Sequence, residues 1–211
     1  SVHTAGGGEI TKMEQQTVFI IDDDAAVCDS IQELVESVGL RAQSYASGQA
    51  FLDDFQPQRA GCLVLDVRMA GMSGLQLQQK LGELAAGIPI IFITGHGDVP
   101  MAVRALQAGA VDFIQKPYRD QLLLDSINKA LAADAVGRRS AAGMDKLAML
   151  SKREREVYNK LLEGSSSKQI ARELYISPRT VEAHRQSVLR KLEVGSVKEL
   201  ILNQRIWDAG E

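Results

Sequence analysis

Only two cysteines occur in 211 residues, Cys28 and Cys62. That excludes a small disulfide-stapled scaffold, which carries many more cysteines per unit length. Both fall inside apolar patterns, one helical and one strand-like, so they read as reduced core thiols rather than a disulfide or redox pair. No apolar stretch approaches the ~18 residues needed to cross a bilayer, so no membrane partner and a cytoplasmic location are expected. The opening SVHTAGGGEITK lacks the apolar run of a signal peptide. Residues 1–16 therefore read as a disordered leader or cloning remnant, with Met13 as a native start. No internal repeat is visible.

What is present is an ordinary globular composition, 45% apolar and 24% charged, at a length that suits one large or two small domains. The net charge of −3 hides an asymmetry. Residues 17–135 carry 15 acidic and 8 basic side chains, net −7, whereas residues 146–211 carry 13 basic and 9 acidic, net +4. A sign change between halves points to two domains with different partners, the basic one suited to nucleic acid.

The first half alternates strand and helix patterns. Strands are expected at TVFIID (17–22), RAQSYA (41–46), CLVLD (62–66), PIIFIT (89–94) and DFIQK (112–116). Helices are expected over 25–39, from Ser47 to about Phe55, from Gly74 to about Ala86, after Pro100, and from about Arg119 to Ala133. Runs apolar on both faces, alternating with helices, predict a buried parallel sheet. Residues 134–146, DAVGRRSAAGMDK, read as a linker. Beyond it every clear element is helical. Ser151 to Glu154 and Ser166 to Gln169 are capping boxes, and Ser177-Pro178 is an N-cap followed by an N1 proline. A fourth helix starts at Ser196. A short helix, a tight turn through Tyr175-Ile176 and a longer helix make a helix-turn-helix.

Four strand ends carry residues suited to a phosphoryl group: Asp22-Asp23, Asp66, Thr94 and Lys116. In a parallel sheet these ends share one ligand-binding edge. Asp22, Asp23 and Asp66 offer hard oxygens for Mg²⁺ (or Mn²⁺). Asp66 is a candidate nucleophile. Lys116 and Thr94 are placed to neutralise and hydrogen-bond phosphoryl oxygens. Each of these residues alone could simply cap the following helix.

FIIDDD, LVLDVRMAGMSG, IFITGHGD and FIQKP resemble the receiver domain of bacterial two-component response regulators, over about residues 17–133. The resemblance implies a CheY-like α/β fold with strand order 2-1-3-4-5. It implies that Asp66 accepts a phosphoryl group from a sensor histidine kinase. It makes Asp22, Asp23 and Asp66, with the backbone carbonyl of Arg68, the metal ligands. Thr94 and Phe113 become switch residues, and Lys116-Pro117 a cis bond. Where such domains read M-P-G-M-S-G, this chain has Ala70 in place of proline, which is expected to loosen the loop.

On a helical wheel of residues 178–192, Val181, His184, Val188 and Leu192 share one side. Arg179, Glu182, Ala183, Gln186 and Arg190 share the other, as in a major-groove recognition helix. LSKREREV and SSKQIARELYISPRTVEAHRQSVLRKL resemble the LuxR/NarL-type helix-turn-helix, and the pairing with a receiver resembles the FixJ/NarL regulators. This domain, an all-α four-helix unit, is expected over 147–211. The resemblance implies that Glu182, Ala183 and Gln186 face bases, with Lys168, Thr180, His184, Arg185 and Lys191 near phosphates. His184 lies on the core side of the wheel and equally suits packing or capping.

The reading is a transcriptional regulator that binds double-stranded promoter DNA as a homodimer once Asp66 is phosphorylated, with RNA polymerase as a further partner. Its only chemistry is its own phosphorylation and dephosphorylation. Two other readings fit the sequence less well. A phosphohydrolase resembling the haloacid dehalogenases needs an acid two residues after the nucleophile, and Arg68 stands there. A protein-binding phosphorelay or anti-sigma module is disfavoured by the basic face of the second half.

Overall fold

The structure, a computed structural model, describes residues 16–95 and 99–207. The expected leader up to residue 15, His96 to Asp98 of the GHGD motif, and residues 208–211 lie outside them. Gln16, assigned to the leader, instead donates from Nε2 to the Leu131 carbonyl at 2.7 Å and to Asp134 Oδ2 at 3.2 Å.

Five short apolar runs form the strands β1 (Thr17–Ile21), β2 (Arg41–Tyr45), β3 (Gly61–Asp66), β4 (Ile90–Thr94) and β5 (Asp112–Gln115). They pair in parallel in the order β2-β1-β3-β4-β5, as expected. Helices α1 (Ala25–Ser37), α2 (Gly48–Asp54), α3 (Gly74–Glu83), α4 (Val99–Gln107) and α5 (Asp120–Ala148) follow the strands in turn.

Successive strand residues point to opposite faces, so two cores form. Val18, Ile20, Cys62, Val64, Ile91 and Ile93 pack with Ile31 and Val35 of α1 and Leu123 and Ile127 of α5. Phe19, Ile21, Leu63, Leu65 and Phe92 pack with Phe51 of α2 and Leu77 and Leu81 of α3. Each fully buried aliphatic or aromatic side chain contributes about 1.5–3 kcal/mol relative to exposure. Both cysteines are free and buried in the first core. Burial, with a smaller contribution from the Asp134 charge, pushes the Cys62 thiol up to about 12, which keeps it protonated and unreactive.

The sequence leaves open whether the linker 134–146 is helical or free; these residues continue α5, which runs for 29 residues in all. The chain divides into two compact units between Asp134 and Ala135, so the latter half of α5 belongs to the second unit. Asp134 is buried and accepts the Gly61 N–H at 2.9 Å, tying the helix to the start of β3.

The second unit adds α6 (Lys152–Leu162), α7 (Ser167–Glu173), α8 (Pro178–Lys191) and α9 (Val197–Trp207). The expected capping boxes at Ser151 and Ser166 are both closed, and Ser177 caps α8 with Pro178 in its first turn. Val157, Leu161, Ile170, Val181, Val188, Leu192 and Leu200 form the core. Ser140 of α5 donates to the Trp207 carbonyl at 2.8 Å. A Cβ on Gly143 would sit 2.0 Å from the Trp207 ring, whereas one on Gly137 would meet nothing within 4 Å.

These two glycines give a paired expectation. Gly137→Ala should stabilise the second unit by up to about 1 kcal/mol through helix propensity. Gly143→Ala should destabilise it by about 1–3 kcal/mol through overpacking. Calorimetry on the two variants checks the opposite signs; equal shifts would mean that Trp207 is not seated against Gly143.

Candidate functional site

Asp22 directly follows β1, Asp66 ends β3, Thr94 ends β4, and Lys116 directly follows β5. Parallel pairing therefore gathers all four at one sheet edge, where Asp22, Asp66 and Thr94 are buried and Asp23 is exposed. Carboxylate oxygens of Asp22, Asp23 and Asp66 lie within 4.8 Å of one another. Lys116 Nζ donates to Asp22 Oδ2 at 3.1 Å and stands 3.8 Å from Asp66 Oδ1. The Arg68 N–H donates to Asp66 Oδ2 at 3.2 Å, and the Asp24 N–H to Asp22 Oδ1 at 2.9 Å.

Burial, and then the charge of Asp22, hold the Asp66 carboxyl above its ordinary range; Lys116 and the N–H groups of Arg68 and Val67 oppose the shift. Three converging carboxylates and one ammonium leave excess negative charge at the edge. Hard oxygen donors at this spacing fit a small divalent cation, which would offset the repulsion.

The loop after Asp66 is held closely. Gly74 opens α3 beneath Asp66, and a Cβ there would lie 2.3 Å from the Asp66 carbonyl oxygen. The loosening expected from Ala70 is not what the geometry shows. The Ala70 N–H donates to Asp23 Oδ2 at 2.9 Å, a bond that proline, lacking an N–H, could not make. Phe113 is half-buried against the second core, with its ring 6.2 Å from that of Phe92. The Lys116-Pro117 bond is cis, as expected.

In the second unit, α7 and α8 are joined by a turn in which Tyr175 is left-handed (φ 55°) and exposed. On α8, Val181 and Val188 are buried, as is the C-cap Leu192, while Arg179, Ala183, Gln186 and Arg190 are exposed and Glu182 is half-exposed. Thr180 and Lys168 are also exposed, and His184 and Arg185 are half-buried. Lys191, expected near phosphates, is engaged inside the unit. Its Nζ donates to Glu154 Oε2 at 2.7 Å and to the Met149 carbonyl at 3.3 Å.

Glu154 also accepts from Ser187 Oγ at 2.6 Å and from the Ser151 N–H at 2.7 Å. These bonds, Lys191 first, hold its carboxyl down at about 2. The sequence marked Glu154 only as half of a capping box. Its grip on two residues of α8 depends on tertiary placement that no local pattern reports.

Residues 18–128 match the response regulator receiver domain, and residues 148–203 match the bacterial regulatory proteins of the luxR family. The chain is 45% identical over 201 residues to the response regulator protein TmoT of Ectopseudomonas mendocina, covering 93% of this chain and 91% of that protein. It is 42% identical over 188 residues to the transcriptional regulatory protein FixJ of Bradyrhizobium diazoefficiens, covering 87% and 92%. Among solved structures, the response regulator StyR aligns with TM-score 0.70 at 40% identity, covering 90% of this chain and 98% of StyR. Full-length FixJ from B. japonicum aligns with TM-score 0.57 at 40% identity, covering 92% and 98%. With an acidic cluster at the edge of a receiver sheet and a LuxR-type helix-turn-helix in the same chain, the protein belongs to the response regulators that control transcription.

Proposed function

We propose that Asp66 accepts a phosphoryl group from the phosphohistidine of a sensor kinase and that the modification controls promoter binding by α8. The supporting observation is Lys116 poised between Asp22 and Asp66, beside three converging carboxylates. An Asp66 carboxylate oxygen attacks phosphorus as the P–N bond breaks, and the imidazole takes the bonding pair. The product is an acyl phosphate, which water later cleaves at phosphorus to restore the carboxylate.

Asp22, Asp23, Asp66 and the Arg68 carbonyl would hold Mg²⁺ or Mn²⁺, whose chemistry is to neutralise the transferring phosphoryl oxygens. Lys116 swings its ammonium from Asp22 toward the new phosphoryl oxygens. Thr94 donates to one of them, Phe113 turns inward behind it, and the surface of α4, β5 and α5 changes shape. That is a population shift whose size is set by the differential contact of phosphoryl with the two states. The reshaped surface pairs two chains in the cytoplasm, and their α8 helices reach half-sites about one helical turn apart, where RNA polymerase is recruited. In this reading the receiver ends near Asp134 and the DNA-binding domain takes up the same helix.

Glu182, Ala183 and Gln186 face bases, with Arg179 and Arg190 flanking them. Lys168, Thr180, His184 and Arg185 lie near the backbone. Lys191 serves the fold first, through Glu154. Phosphate contacts position and base contacts specify. Lys168→Ala should therefore weaken binding to all duplexes and reduce the salt slope by about 1. Gln186→Ala should instead change which sequence is preferred. Equal loss on cognate and scrambled DNA for Gln186→Ala would refute its place in the groove.

A further inference from the structure

We propose that Glu182 reads a cytosine in each half-site, and that Ser167 of α7 is the residue that aims it. This rests on the reading that the exposed face of α8 enters the major groove. Ser167 is the first residue of α7 and is half-buried; its Oγ donates to Glu182 Oε1 at 2.5 Å. Arg185 Nη1, one turn further along α8, lies 3.5 Å from the same oxygen. Both neighbours hold Oε1. Among the described residues Oε2 has no such partner, and the side chain is 46% exposed. The carboxylate is therefore anchored through one oxygen and presents the other.

That geometry selects the ligand. An ionised carboxylate only accepts hydrogen bonds. In the major groove guanine shows two acceptors and thymine one, and these repel it. Adenine offers its N6 amine beside the N7 acceptor, so attraction is offset. The adenine amine also has the thymine O4 on its other side, whereas the cytosine N4 amine has an acceptor, the paired guanine O6, on one side only, so cytosine matches Oε2 best. An unanchored carboxylate in a groove walled by phosphates would swing away. The Ser167 hydroxyl, donated across the two helices, and the Arg185 charge keep it in place.

The test is selection of bound sites from a random duplex pool by the full chain treated with acetyl phosphate and Mg²⁺. Wild type should enrich cytosine at one position per half-site by about tenfold or more over other bases. Glu182→Gln, which can donate to N7 and accept from N6, should move that position to adenine. Ser167→Ala should keep cytosine but lose several-fold of the discrimination, without weakening binding to scrambled DNA. Ser167→Thr, which retains the hydroxyl, should restore it. Glu182→Gln enriching the same base as wild type would overturn the assignment. Unchanged discrimination in Ser167→Ala would overturn the aiming role. A wild-type pool yielding no motif would instead refute the groove reading beneath it.

Discussion

Asp66→Asn is expected to abolish phosphoryl uptake and, with it, every phosphoryl-dependent gain in dimerisation and DNA affinity. The amide is close in shape, so the sheet edge should fold as before, but it cannot form the acyl phosphate. Intact-mass measurement after incubation with acetyl phosphate and Mg²⁺ should show one added phosphoryl group on wild type and none on the variant. Sedimentation should show the variant monomeric under both conditions. If the phosphoryl state is favoured by even a few kcal/mol of differential contact, the lost gain amounts to tens- to hundreds-fold in active-state population. A variant that still dimerised on acetyl phosphate would place the acceptor elsewhere.

The second large effect is expected at Glu154. Its carboxylate is buried and binds Lys191, Ser187 and the Ser151 N–H. Glu154→Ala strips all three of their acceptor and leaves the N-terminus of α6 without half of its capping box. Breaking such a charge-assisted cluster costs about 2–4 kcal/mol. For a unit of this size that lowers Tm by more than about 10 °C. DNA binding should fall with it, because Ser187 and Lys191 lie on α8.

The pH dependence has a fixed sign. The folded carboxyl titrates at about 2, below the ordinary value of 4.5. The stability it contributes is therefore complete above about 4.5 and is lost as pH falls from there toward 2. Denaturation measured across that window should steepen for wild type and flatten for Glu154→Gln. Parallel curves would show that Glu154 carries no such linkage.

The receiver was legible because its signals are local. TVFII, CLVL and IIFI are apolar on both faces, and the residue that closes each run carries the chemistry, so strand ends and site residues were found together. The capping boxes at Ser151 and Ser166 were legible for the same reason.

The features that escaped the sequence depend on distant partners. The stretch from Asp134 to Lys146 holds two glycines, which leave open whether it is helical or free. Yet Gly143 is where the Trp207 ring packs, and Ser140 caps the same tryptophan's carbonyl. A window of neighbours contains none of that. Lys191 is likewise expected near phosphates, and a basic residue near the end of a helix carries no mark of the buried Glu154 that it also serves. Ala70 looked like a lost proline, and only the fold shows the N–H it gains toward Asp23.

The central claim is that a charge on Asp66 governs what α8 does on DNA. The most direct measurement is the dissociation constant of the full chain for a duplex selected from a random pool, by fluorescence anisotropy at fixed salt, with and without acetyl phosphate and Mg²⁺. Binding at least tenfold tighter, a change of 1.4 kcal/mol or more, is expected for wild type and no change for Asp66→Asn. Equal affinity in wild type before and after phosphoryl incorporation, confirmed by mass, would contradict the claim.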